Sequence, residues 1–300
     1  MRRRKKTMKS STEARVVSLV SYTSFIIFGL ICLIPMLMVV SISFTSEQAI
    51  AANGFQLIPK EFSLEAYRIL FANPQQIMNA YKTTVIVTVV GTVLSLLFTA
   101  QAAYVTSRPI FFAQKQVSFM FYFTQLFSGG LVPTYILMTQ YLHLKNSLWA
   151  IILIMMVSPW NVFLARTYIK SIPESLIESA KLDGASEFRI FYQIIVPLSV
   201  SGLATIAITT AIGYWNDWYN NMLYISDVDK YSLQYLLQTL LGKIDFLKAA
   251  GDGGMLTGMQ VPEETLRMAT CVVAIGPMAI LFLFVQKFFV KGITVGSVKG

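Results

Sequence analysis

The side chains of this sequence that have the means to do chemistry are few and far apart. The single histidine, His143, does not cluster with carboxylates or cysteines, so no general acid–base pair and no metal-ligand set can be drawn from its surroundings. Cys32 and Cys271 each lie within an apolar run and read as small buried hydrophobes. The phosphate-cradling pattern G-x-x-x-x-G-K-[ST] is absent, so the chain has no P-loop in which to hold a nucleotide. What remains is one charged stretch, SIPESLIESAKLDGASEFRIFYQIIVP at 171–197, between two long apolar runs. Its chemistry is that of docking, because carboxylates and a lysine on a short helix make charge-assisted hydrogen bonds with a partner surface.

That stretch predicts its own helix. Ser171 followed three residues later by Glu174, with Pro173 in the first turn, is a capping-box pattern, and Gly184 is where the helix should stop. Leu176, Ile177 and Ala180 fall on one face, while Glu174, Glu178 and Lys181 line another at spacings of four and three. A short amphipathic helix hung between apolar runs reads as a handle for a partner protein.

The rest of the chain has the composition of a membrane protein. It is 55% hydrophobic and only 13% charged, about half the charge of an average soluble domain. Charge-free runs at about 16–46, 83–107, 116–142, 146–165, 190–216 and 268–286 are each near or above the ~20 residues that a helix needs to cross a bilayer. The first run follows a basic segment, 1–15, and Ala49-Ile50-Ala51 resembles a cleavage site, but the run is about twice a secretory apolar core and so reads as an uncleaved span. The expected fold is all-α, with six transmembrane helices. The net charge of +9 does not point to nucleic acid, since the basic residues bracket apolar runs and are not interleaved with aromatics on a polar background.

Of the 24 lysines and arginines, 16 lie in segments 1–15, 108–115, 166–189 and 287–300. The positive-inside rule therefore puts both termini, including the tail 290–300, and the segment 171–189 in the cytoplasm. Two long segments then face outward. Residues 47–82 contain an amphipathic surface helix at 62–71. Residues 217–267 open on Trp215-Asn216-Asp217-Trp218, pass through a helix near Leu233–Leu241 and loosen at 249–258 around Gly251, Gly253 and Gly254. This glycine-rich part is either a plain connector or a loop that reaches for an external partner.

Prolines 35, 133, 159, 197 and 277 interrupt five of the six runs, which predicts helices bent around a cavity. Tyr104, Gln125 and Asn161 are the polar side chains best placed to line it, or else to bond helix to helix. The six runs hold no charged residue, which weakens an ion-coupled mechanism.

The segment 171–197 also resembles the cytoplasmic pattern of bacterial ABC importer permeases: EAA, three residues, G, nine residues, I-x-L-P. Here it is Glu178-Ser179-Ala180, Gly184, Ile194 and Val196-Pro197. The resemblance implies the type I permease fold, with Glu174, Glu178, Ser179, Ala180, Lys181, Asp183 and Gly184 forming a coupling helix seated on an ATPase subunit. Together with the length, the spans and the C-terminal QKFFVKGITVGSVKG, the chain resembles carbohydrate-uptake permeases of the maltose-transporter type. Within these, LFSGGLVPTY at 126–135 and GYWNDWYN at 213–220 are similar to the subgroup importing complex oligosaccharides. The resemblance implies a bacterial plasma-membrane protein without a catalytic or metal site. Its implied partners are membrane lipid, a second homologous permease, two ATPase subunits that bind ATP and Mg, and an external sugar-binding protein, with no nucleic acid. A secondary carrier and a non-transporting assembly factor are the competing readings, which co-purification of an ATPase separates.

Overall fold

The computed structural model describes residues 12–252 and 262–297, with side chains described over 16–246, 262–280 and 282. In chain order its α-helices are α1 (Thr12–Ser43), α2 (Glu47–Asn53), α3 (Glu65–Leu70), α4 (Pro74–Ser107), α5 (Gln114–Leu126), α6 (Leu131–Ile136), α7 (Leu148–Met156), α8 (Pro159–Lys170), α9 (Glu174–Leu182), α10 (Glu187–Ile190), α11 (Val196–Leu198), α12 (Val200–Trp215), α13 (Tyr219–Tyr224), α14 (Leu233–Asp252) and α15 (Glu263–Ser297). Two compact units divide the chain.

The smaller unit holds residues 1–72 and 248–273. Its α1 is apolar, and the side chains from Val16 to Met36 are mostly exposed, Cys32 among them. This corrects the reading of Cys32 as buried, and Cys271 is exposed as well. Beyond α1 the chain turns under a stack in which Phe44 lies 5.6 Å from Phe62 and 4.9 Å from Tyr67. Ser46 caps α2 by accepting from the Ala49 amide at 3.2 Å, and α3 is the surface helix expected at 62–71, burying Ala66 and Leu70. Glu47 then caps a helix distant in sequence: its carboxylate accepts from the amides of Glu264 and Thr265, each at 3.1 Å, and from Thr265 Oγ1 at 3.0 Å. A negative charge is favourable there because the first turn of α15 presents unpaired N–H groups and the positive end of the helix dipole.

The larger unit, residues 73–247 and 274–300, is organised on α4. Asn73 caps α4 through Oδ1 to the Gln76 amide at 3.3 Å, and Pro74 takes the first helical position, so the helix starts nine residues before the apolar run at 83. One stripe of α4 carries small residues, including Thr84, Thr88, Gly91, Ser95 and Thr99, all buried. Small side chains let neighbouring backbones come close. A Cβ at Gly91 would fall inside the ring of Tyr214, and one at Gly202 inside the ring of Tyr168. Tyr214 Oη donates to the Ile152 carbonyl at 2.8 Å, which joins α12 to α7. Thr84 Oγ1 accepts from the Leu233 amide at 2.8 Å and so caps α14 from across the chain.

Breaks stand at Pro159 and Pro197 and just before Pro133, whereas α1 and α15 continue as single helices through Pro35 and Pro277, which were expected to interrupt them. α7 and α8 meet at 50° where Ser158 and Pro159 start a new helix, and the segment Glu187–Leu198, holding Pro197, meets α12 at 78°. The run 116–142, expected as one span, is interrupted between α5 and α6 by Phe127–Gly130, with Gly130 at φ 88°, and closes on a π-helical turn at Leu137–Tyr141. By length and composition the described residues include two unbroken candidate spans, within α1 and α4, and up to four if each bent pair counts as one. α14 departs from expectation too, since it continues helical to Asp252 through 249–252, read from the sequence as loose. Asn146 pins the far end of this unit with φ 60°. Its Oδ1 accepts from the amides of Ser226 and Asp227 at 3.2 and 3.1 Å, and its own amide donates to Tyr224 at 2.7 Å.

Gly202→Leu should force Tyr168 from its place and cost roughly 3 kcal/mol or more. Gly213→Ala, whose Cβ would meet only Met155 Cε at 3.7 Å, should be nearly neutral. Thermal unfolding of the two purified variants in one detergent measures the contrast.

Candidate functional site

The segment 171–190 begins where α8 ends. Ser171 Oγ donates to the Tyr168 carbonyl at 2.7 Å, so it closes α8 and does not cap α9. The expected capping box is therefore absent: Pro173 precedes α9 without any side-chain cap, and α9 starts at Glu174, two residues later than a cap at Ser171 would place it. The hydroxyl satisfies a carbonyl one turn behind it because the chain has not yet left the α8 helix at Ser171.

The other end of α9 is as the sequence required. Gly184 has φ 77°, its amide donates to Lys181 at 3.0 Å, and the Ala185 amide donates to Ala180 at 2.9 Å. This is a Schellman closure around a left-handed residue. Nothing lies within 4 Å of a Cβ built on Gly184, so backbone handedness alone demands glycine.

Only part of the expected apolar face turns inward. Ile177 is buried in a cluster with Tyr104, Ile169, Ile190 and Phe191, and Ala180 packs at its edge. Leu176 is 44% exposed and Leu182 is 89% exposed. Glu178, Ser179 and Asp183 are also exposed. α9 thus presents Leu182 and Glu178 outward while Ile177 holds it to the larger unit.

A polar chain supplements that apolar anchor. Lys181 Nζ sits 2.6 Å from Glu187 Oε1, and Tyr104 Oη donates to Glu187 Oε2. Tyr104 comes from the last turns of α4, where its ring lies 5.3 Å from Phe191. Burial by itself would raise the Glu187 pKa, but the hydrogen bonds from Lys181 and Tyr104 and the charges of Lys181 and Arg108 outweigh it and hold the carboxyl below its ordinary value. Arg108, nearly buried, faces Glu174 at a long 3.9 Å and leaves its Nε without an acceptor. It lines a cleft of about 530 Å³ shared with Gln114, Lys170 and Glu174.

Residues 15–295 match the family described as binding-protein-dependent transport system inner membrane component. The chain belongs to this family. It is 37% identical over 290 residues to the polygalacturonan/rhamnogalacturonan transport system permease protein YtcP of Bacillus subtilis, spanning 95% of this chain and 99% of that protein. It is 36% identical over 272 residues to Protein LplC of the same organism, covering 91% of each. A crystal structure of a bacterial ABC transporter involved in the import of the acidic polysaccharide alginate contains a chain with TM-score 0.77 and 29% identity, covering 93% of this chain and 98% of that one. The protein is a permease subunit of an ABC importer.

The permease does not bring Tyr104, Gln125 and Asn161 together around one cavity. Tyr104 is buried and bonded to Glu187. Asn161 Nδ2 donates to Thr210 Oγ1 at 3.3 Å, a bond between α8 and α12, and only Gln125 is exposed. At the other end, Trp215 is buried with Nε1 donating to the Ala274 carbonyl at 3.1 Å, so it does not offer the contact surface expected of it. Asn216 accepts from Gln234 at 3.2 Å, and Trp218 is 41% exposed. Asp217 accepts from the amide and side chain of Asn220 at 3.2 and 2.9 Å. Burial raises its pKa against those two bonds. Gly251 is in α14, while Gly253 and Gly254 lie outside the described residues. Sequence reasoning missed Glu187 and Arg108, whose partners lie across the fold, and the exposed Leu182.

Two outcomes test this geometry. Glu187 is more acidic in the fold than its reference value of 4.5, so its contribution to stability is fully present above that value and is lost as pH falls through the lower folded one. The melting temperature of Glu187→Gln should therefore lie below that of the unsubstituted protein at pH 7 and converge on it in strong acid. Gly184→Ala should cost about 1 kcal/mol from backbone strain, again read by thermal unfolding.

Proposed function

We propose that this permease carries oligosaccharide fragments of acidic polysaccharides across the bacterial plasma membrane by alternating access. The substrate reading is supported by the relatives, since one is named for polygalacturonan and rhamnogalacturonan transport and another belongs to an alginate importer. The working complex pairs it with a second homologous permease and two ATPase subunits, which bind ATP and Mg, and receives sugar from an external binding protein. This chain contributes no catalytic group and no cofactor site.

The observation that carries the mechanism is the two-sided exposure of α9. Ile177 is held inside the permease, while Leu182 and Glu178 stand out of it. A leucine exposed by 89% on a helix end is what an apolar groove on an ATPase subunit would bury, and Glu178 beside it accepts hydrogen bonds from a basic or backbone donor. In this reading α9 is the coupling helix. The six spans lie within α1, α4, α5 with α6, α7 with α8, residues 190–216, and α15, with both termini cytoplasmic. The pocket of about 200 Å³ beside Thr92, Ala207, Ile208, Ala211 and Met278 is almost wholly apolar and offers sugar hydroxyls a single partner, the Thr92 hydroxyl. The sugar path therefore runs along a surface completed by the partner permease, with Asn216, Trp218 and the glycines 251, 253 and 254 toward the binding protein.

Leu182→Asp and Glu178→Lys should each insert normally and lose binding-protein-stimulated ATPase activity and uptake together, by about tenfold or more. Normal activity in both purified complexes would remove α9 from the coupling path. Reconstituted complexes should take up oligogalacturonides in preference to neutral arabinooligosaccharides; the reverse preference would reject the acidic substrate. With Cys32 and Cys271 replaced, a cysteine at 229 should label from outside intact cells and one at 181 should not.

A further inference from the structure

We propose that Glu187 is a positioning residue that fastens α9 to α4, so that a displacement of the docked helix is delivered to a candidate span that is unbroken over its whole length. The inference rests on α9 being the coupling helix. Along the chain, α9 leads into the membrane only through broken routes: backward into α8, which meets α7 at 50°, and forward through α10 and α11, which meet α12 at 78°. A push entering either route can be absorbed at the break, since short helices joined at an angle rotate about the joint. α4 has no such joint over its 34 residues.

The contacts between α9 and α4 are of two kinds. Ile177 and Tyr104 belong to one apolar cluster, and packing of that kind is non-directional, so it resists separation better than sliding. The polar chain has direction. Each oxygen of Glu187 is used by a different neighbour, Oε1 by Lys181 of α9 and Oε2 by Tyr104 of α4. One carboxylate so shared fixes both the spacing and the register of the two helices, and neither donor can substitute for it. Without Glu187 the one bond left to the pair is Lys181 donating to the Tyr104 oxygen, which lacks the carboxylate's charge and joins the helices at a different spacing.

The test uses the complete transporter with its binding protein, in liposomes. Glu187→Gln should still co-purify with the ATPase, yet in it and in Lys181→Glu the ATP hydrolysed per oligosaccharide imported should rise about tenfold, the loss expected when a charge-assisted bond is removed. The exchanged pair Lys181→Glu with Glu187→Lys should restore much of the ratio, which a purely structural fault would not do. An unchanged ratio in Glu187→Gln would overturn the proposal, as would an exchanged pair no better than its parents. If Glu187→Gln does not fold, the exchanged pair compared with Lys181→Glu decides alone. Failure of the underlying reading is seen separately: the unsubstituted permease would not bind an ATPase, or Leu182→Asp would leave coupling intact.

Discussion

Two tyrosine rings lying on two glycines set how closely the helices of the larger unit approach. Tyr214 covers Gly91 of α4, and Tyr168 covers Gly202 of α12, with no space left for even a Cβ at either position. Close packing of this kind gives the assembly dispersion energy where lipid tails leave no hydrophobic drive between helices. It also positions Tyr214 to donate to the Ile152 carbonyl, so the same contact provides register across α7. The polar stripe of α4 can then stay inside, since its threonines and serines are small enough to be covered.

That packing leaves the segment 171–190 at the margin of the unit, attached by a limited number of contacts. Ile177 is its apolar anchor and Glu187 its polar one. Lys181 is engaged with Glu187 and Glu174 faces Arg108, while Leu182 and Glu178 face away. A segment held in this way retains its shape while staying available to another protein, and membership in a family of importer permeases gives that availability a purpose.

Much of this was readable in the residues, and what was not has a physical cause. The glycine stop of α9 follows from a local rule and is found at Gly184. Family membership was legible in the same stretch. The bends at Pro159 and Pro197 were also legible, because a proline removes a donor wherever it stands. By contrast, Ser171 has the letters of a cap but spends its hydroxyl on Tyr168, a choice between two local bonds that spacing does not decide. Tyr104 looked like a cavity residue because apolar runs do not show which face of a helix meets another. Its partner is 83 residues away. Asn146 was passed over for the same reason, as its bonds reach 80 and 81 residues along the chain. The helical path of α14 through 249–252 went unseen because glycine weakens a helix without forbidding it.

The empty surroundings of Gly184 carry a consequence of their own. Since no neighbour competes for the space where a side chain would begin, the position discriminates by chirality and not by bulk. A residue of mirror-image configuration has its comfortable backbone region where this one sits, so D-alanine introduced there by chemical ligation would suit the turn better than its natural L form, and would make the unfolded chain less free than glycine does. The exit from α9 is thus a left-handed corner in a right-handed helical path, made by the backbone torsions of a single achiral residue.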